Sequence, residues 1–303
     1  MMEMAPLTQE NTTELVDEIF HSIFFLGEIY VPQISPGEIF ANDAALLHRL
    51  KKVYPGPFRL YSSSLPRRSP FSCVLDMVVH LEGQENEEAI RDTLRKLVTE
   101  LMIDASSNTI LFSSTMCISA ANSRDAVKHY GVSMSSKSGF ASRIMVAASC
   151  LSFWEEPVVD AVMSYYLKNE KRTDFKVTIK LPTGVRCDAF KLTSENTIIP
   201  CLSCNKMFGL ATTDDHNYPH GNCAEAESLS NLLRENEVRV QRNGNWTEIN
   251  KKRLRCEVRY KLTTELRNLQ FGWDDEFYVP QRASSAEVLL LQDEEQILTM
   301  TQL

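Results

Sequence analysis

Two short cysteine-containing pairs carry the most chemistry in this chain: Cys201-Leu202-Ser203-Cys204 and, after fifteen further residues, His220-Gly221-Asn222-Cys223. A C-x-x-C pair lets two thiolates point from one tight turn at a single ion, and a second pair completes a tetrahedron. Cys201, Cys204, His220 and Cys223 are therefore the candidate zinc ligands, with His216 competing for the fourth position from the same loop. Their spacing departs from the familiar finger patterns. The fourth position decides the chemistry. Four protein ligands close a structural site, whereas three leave a place for water and for catalysis.

The second pair stands at a predicted helix start. Asn222 reads as the N-cap and Glu225 as its capping-box partner, with Leu229, Leu232 and Leu233 as the buried stripe of a helix to about Arg234. Glu227 reads as an exposed helix charge. A knuckle, an intervening hairpin and ligands in a first helical turn together resemble a treble-clef zinc site, which implies a closed, structural zinc.

Asn222-Cys223-Ala224-Glu225 also resembles the C-A-E element of zinc-dependent nucleobase deaminases, and Pro200-Cys201-Leu202-Ser203-Cys204 their P-C-x-x-C element. That resemblance covers Lys176 to Glu235 and implies Cys201, Cys204 and Cys223 as ligands, an open water position, and Glu225 as proton shuttle. The helix and hairpin leading up to Leu192 match the order of elements before the family's C-A-E helix. The two motifs stand in reversed order, since the family places P-C-x-x-C after the C-A-E helix. A third reading, Cys223 as a nucleophile activated by its helix start and by His220 or His216, leaves Cys201 and Cys204 without a role.

The elements that must position these residues follow from periodicity. Residues 8 to 27 read as an acidic amphipathic helix through Leu15, Ile19, Ile23 and Leu26. Ser35-Pro36-Gly37-Glu38 has the form of a capping box opening a helix to about Lys52. A loop from Pro55 to Pro70 precedes the apolar run Cys73 to Leu81, which reads as a strand. Gln84 to Asp104 reads as a helix with Ile90, Leu94, Leu97 and Leu101 on one face, and Asn108 to Ser119 as a strand. A short helix near Ser123 to Tyr130 and two helices divided near Pro157 follow. Lys176 to Leu181 and Val185 to Leu192 read as a hairpin around Pro182-Thr183-Gly184. Glu237 to Arg242 and Trp246 to Ile249 read as another around Asn243-Gly244.

The fold class expected is α/β or α+β. It comprises a helix-rich N-terminal domain with a few strands over residues 1–169, a mixed zinc-bearing domain with hairpins over 170–280, and an acidic amphipathic or disordered tail over 281–303 that contains Leu289-Leu290-Leu291. The boundary is placed in the charged stretch Lys168 to Asp174.

Composition bounds the function. The 303 residues are 43% hydrophobic and 24% charged, as in globular chains. No run reaches the length of a membrane span, and the first basic residue is Arg49, so neither a membrane nor a secretory signal is expected. The chain reads as intracellular, cytoplasmic or nuclear. The sequons at Asn11 and Asn245 then carry no glycan, and Cys73, Cys117, Cys150, Cys187 and Cys256 read as reduced core residues. His21, His48, His80 and His129 read as surface or core histidines. Of the net charge of −8, residues 1–48 supply eight carboxylates and no Lys or Arg. Arg234 to Lys261 carries nine basic residues against four acidic ones, so nucleic acid or a nucleotide is a candidate partner there. Protein partners are expected at the acidic N-terminus or the tail. No glycine motif for nucleotide phosphates occurs. Two functions fit: a non-catalytic adaptor or regulator whose zinc stabilises an interaction module, and a zinc-dependent deaminase-like hydrolase of a nucleobase or nucleotide with Glu225 as its catalytic residue.

Overall fold

Hydroxyl caps and prolines set where the N-terminal helices begin. The computed structural model describes residues 12–104, 111–134, 139–166, 177–194, 196–235, 238–243 and 246–283. Helix α1 (Thr13–Ile29) is followed by α2 (Pro36–Ile39), which opens on the expected Ser35/Glu38 capping box. The helix expected to reach Lys52 is two helices. Ala41 and Asn42 take positive φ, and Asp43 accepts from the Leu46 amide to start α3 (Ala44–Val53). A short α4 (Pro55–Leu60) occupies part of the expected loop.

The run Cys73 to Leu81 is not a strand. Ser69 accepts from the Ser72 amide, Pro70 takes a first-turn position, and α5 (Pro70–Glu82) follows. It packs on α1 and on α6 (Glu87–Asp104) and buries Phe71, Cys73, Leu75, Met77 and Val78. A short apolar run cannot be told from a buried strand by periodicity alone, and here only Asp76 and His80 on one helix face break it. In α6 the buried line is Ile90, Leu94 and Val98, while Leu101 is exposed, so the helix is turned relative to the expected face.

Strands β1 (Thr115–Ala120) and β2 (Lys128–Val132) form an antiparallel hairpin. The short helix expected near Ser123 is its connecting turn. Helices α7 (Gly139–Ser152) and α8 (Glu156–Tyr166) divide near Pro157 as expected. Then come β3 (Thr178–Lys180), β4 (Arg186–Lys191), β5 (Thr197–Ile198), α9 (Leu202–Phe208), α10 (Ala224–Arg234), β6 (Gln241–Asn243) and α11 (Glu248–Asn268). Neither expected hairpin pairs. β4 joins β1 and β3 joins β6, because Phe190 of β4 belongs to the apolar cluster on one sheet face and Ile179 of β3 to a different cluster with α8 and α9. Gly244 lies outside the described residues. Beyond it, Trp246 to Ile249 is not a strand, because Thr247 accepts from the Asn250 amide to start α11.

The main sheet has the antiparallel order β2-β1-β4-β5, which makes the fold α+β. Alternation sorts its side chains. Met116, Ile118, Tyr130, Val132 and Phe190 pack on α5 and α6, whereas Cys117 and Ala189 pack on Ala224 of α10. Helix α10 lies across β2, β1 and β4, and α11 packs on α7 and α8. The stretch Lys168 to Asp174 lies outside the described residues. The largest apolar cluster joins Phe25 and Leu65 to α7 through α11. Among the described residues no helix is long and apolar enough to cross a membrane.

Two of the N-terminal carboxylates are core groups, since Asp17 is 1% and Glu18 5% exposed. Glu18 pairs with Arg68 at 2.8 Å. Asp17 accepts from the Tyr278 hydroxyl and the Gln281 amide, and the Tyr278 ring stacks on His21 at 3.9 Å. Thr13 and Ala283 exchange hydrogen bonds. The start of the expected tail is thus docked on α1, while Leu289 to Leu291 lies outside the described residues.

Burial pushes the Asp17 carboxyl from its ordinary 3.8 up to about 6, partly offset by Tyr278 and Gln281. A folded-state value above the unfolded one gives stability that is present below about pH 4 and lost as pH rises through about 6. The displacement corresponds to roughly 3 kcal/mol. Asp17→Asn keeps both acceptor contacts and removes this dependence. Urea unfolding between about pH 4 and pH 7 should therefore show the variant gaining on the parent as pH rises. Parallel profiles would refute the assignment.

Candidate metal centre

The cysteine turn is tied down from both sides. Cys201 is the N-cap of α9, and the Leu202 amide donates to the His216 carbonyl at 2.9 Å. The Ser203 hydroxyl reaches Asn217 and the Tyr218 carbonyl, and that of Thr212 reaches the Pro200 carbonyl. The loop after α9 therefore folds back along Pro200 to Ser203. Gly221 turns the chain at φ +89°, and the side-chain space it lacks is filled by Val146 and Val162. The next turn delivers Cys223, not Asn222, as the N-cap of α10.

This shift of one residue removes the expected capping box. Cys223 makes no side-chain cap bond, and Glu225 occupies the second helical position rather than the third. Its side chain turns to the thiols.

The sulfurs of Cys201, Cys204 and Cys223 lie within 4.8 Å of one another, with Cys201 and Cys223 at 3.5 Å. Tetrahedral zinc with bonds of about 2.3 Å separates its sulfurs by about 3.8 Å, so this donor set fits the ion. The metal's identity is open to any thiophilic ion of that size. Cys201 is held down at about 2 because its sulfur accepts from the Cys204 and Cys223 thiols and from the Ser203 and Cys204 amides. Cys204 and Cys223, the donors to it, are held well up.

Glu225 is 4% exposed and lies beside Cys204 and Cys201. Burial and the nearby Cys201 charge raise its carboxyl to about 7, partly offset by its own amide and by Cys204. Glu227 is no surface charge. It is 5% exposed, and burial raises it to about 7 although it accepts from the Val132 amide and the Ser72 hydroxyl.

The histidines lie elsewhere. His220 is buried, its ring stacked on Tyr165 at 4.6 Å, and His216 sits on the exposed loop against Asp214 at 2.6 Å. Among the described residues neither belongs to the group of ligand atoms that the three thiols form. Asp214, Asp215 and His216 form a second, exposed group, whose Asp214–His216 contacts, including the His216 amide, complete a local turn.

Sequence reasoning missed the pair Cys117 and Cys187, whose sulfurs lie 3.6 Å apart on the sheet face that carries Ala224. Strand pairing β1 to β4 was the missing information. Cys73 and Cys150 are core residues as expected, while Cys256 is exposed. His21 and His129 are buried and His48 and His80 exposed.

The basic segment lies largely on α11 and is interlaced with acids. Arg253 pairs with Glu257, Arg259 with Asp275, Lys251 with Glu156, and Arg242 with Glu156 and Asp160. Comparison with known proteins adds no family: no family model matches the chain, and no curated protein or solved structure matches it.

One zinc per chain should bind, as measured by competition with a chromophoric chelator. Cys204→Ala should weaken that binding by at least an order of magnitude, because it removes a buried ligand. His216→Ala, which removes only an exposed ring held by Asp214, should leave it unchanged. Equal affinities in all three proteins would exclude the thiol site.

Proposed function

We propose that this chain is a zinc-dependent, deaminase-like hydrolase acting on a nucleobase or nucleotide. The burial of the Glu225 carboxyl beside the three thiols carries this reading. A glutamate in a helix's first turn ordinarily serves the helix, but here the capping role is absent and the side chain lies against the ligand set.

Zinc bound by Cys201, Cys204 and Cys223 would supply a Lewis acid that makes water a nucleophile near neutral pH. Glu225 is then the group beside the site able to take a proton and give it back. It receives a proton from the attacking water and returns it to the ring nitrogen, and a later transfer lets the amine leave as ammonia. The sum is exchange of C–NH2 for C=O with one water consumed. Of the three, Cys201 and Cys204 are buried and Cys223 is partly exposed, which on this reading makes its side the one a substrate would approach from. Aspartate or asparagine at position 225 would fall short by one methylene, so the length of the side chain matters as well as its charge.

The adaptor reading remains the competitor and requires a fourth protein ligand. The two readings differ in coordination and in turnover. The zinc-loaded protein should release ammonia from a cytosine or adenine substrate offered as free base, nucleoside, nucleotide or single strand. Glu225→Gln should lower the rate by at least about a hundredfold while zinc stays bound. A cobalt spectrum with four protein ligands, together with silence across those substrates, would leave the adaptor reading in its place.

A further inference from the structure

Strand β2 is an edge of the main sheet, so backbone groups on its outer side have no strand partner. Two of its outward-facing positions, and a third just past its end, are nonetheless satisfied, all by one segment. The Tyr130 carbonyl accepts from the Asn231 side chain at 2.8 Å, and the Val132 amide donates to Glu227 at 2.8 Å. Two residues on, the Met134 amide donates to the Asn222 carbonyl at 2.7 Å. Positions 130, 132 and 134 recur with the period of a strand, so the edge offers one set of groups at fixed intervals, and α10 with its preceding turn is read against them. The final contact falls on the residue immediately before Cys223.

Only Glu227 among these contacts ties the edge to a third element. Its second oxygen accepts from Ser72 of α5, so one carboxylate joins α10, β2 and α5. The helix backbone lies directly on the strand here, since a side chain at Gly131 would meet the Ser228 nitrogen and the Ala224 carbonyl. We propose that Glu227 is a positioning residue for the metal centre: through the open edge of β2 it sets the height of α10, and thereby the places of Cys223 and Glu225 against Cys201 and Cys204. This inference rests on the reading of the three thiols as a metal site, but not on any substrate.

The hydrogen bonds of Glu227 need two acceptor oxygens, one for Val132 and one for Ser72. Glu227→Gln keeps one oxygen for the Val132 amide, whereas Glu227→Ala leaves that amide and the Ser72 hydroxyl without their acceptor. Outer partners of metal ligands typically change affinity by about ten- to a hundredfold when removed. Zinc affinity and the cobalt absorption spectrum should be measured for the parent, Glu227→Ala, Glu227→Gln and Leu232→Ala at a temperature where all four are folded. Leu232→Ala is the control, because it removes buried volume from the same helix without touching β2's edge groups.

The expected result is a loss of at least tenfold in affinity and a changed cobalt spectrum for Glu227→Ala. Glu227→Gln should recover most of both, and Leu232→Ala should keep the parent spectrum. A Glu227→Ala protein that binds like the parent overturns the proposal, as does one whose changes are matched by Leu232→Ala, which would make the effect general to the helix. No metal uptake by the parent protein overturns the reading of the thiols themselves, and the positioning role with it.

Discussion

The rest of the structure depends on how closely α10 can approach the main sheet. Gly131 gives β2 a bare backbone at the crossing point, and the helix meets it with Ala224 and Ser228. The Ser119 and Ser228 hydroxyls bond at 2.9 Å across the same interface. Small residues on both sides bring the helix axis near enough for its polar side chains to reach β2's edge. A bulkier pair would lift α10 away, and Cys223 would rise with it from Cys201 and Cys204. The metal centre is therefore a consequence of helix-on-sheet packing as much as of the residues that form it.

Three buried carboxyls show what such packing must satisfy. Asp17 receives a hydroxyl and an amide from the strap that returns to α1, and Glu227 receives a hydroxyl and an amide from α5 and β2. Both are cross-links between elements, and their partners account for their burial. Glu225 is different. It lies beside the thiols, and burial, with Cys201 nearby, raises its carboxyl above the ordinary range.

Local signals in the chain survived wherever the deciding interaction was local. The Ser35/Glu38 box formed because both partners lie within one turn, and the break near Pro157 held because proline acts on its own backbone. The same box broke off after one turn at Ala41 and Asn42, which no cap rule anticipates. Cys73 to Leu81 looked like a strand because only Asp76 and His80 interrupt its apolar residues, too few to show the helical period within so short a run. The hairpins failed for two reasons: β3 and β4 bury their apolar residues in different clusters, and Thr247 starts a helix where the second strand of the other was expected.

For the candidate site, residue types and spacing were sufficient to single out Cys201, Cys204 and Cys223, because C-x-x-C brings two sulfurs together within one turn and a helix start presents a third. The sequence also marked Glu225, through its place two residues after Cys223. It could not decide between cap and catalyst, nor between histidine and water, since both depend on which residue is the N-cap and on where the loop from Gly209 to Gly221 lies. In the tertiary structure Gly221 turns the chain and Cys223 is the N-cap, which takes the capping-box role away from Glu225. The same fold places His220 against Tyr165 and His216 against Asp214, outside the group of three sulfurs. Glu227 was legible only as an acid on a helix. Its partners lie 95 and 155 residues away, a distance over which spacing in the chain carries no information.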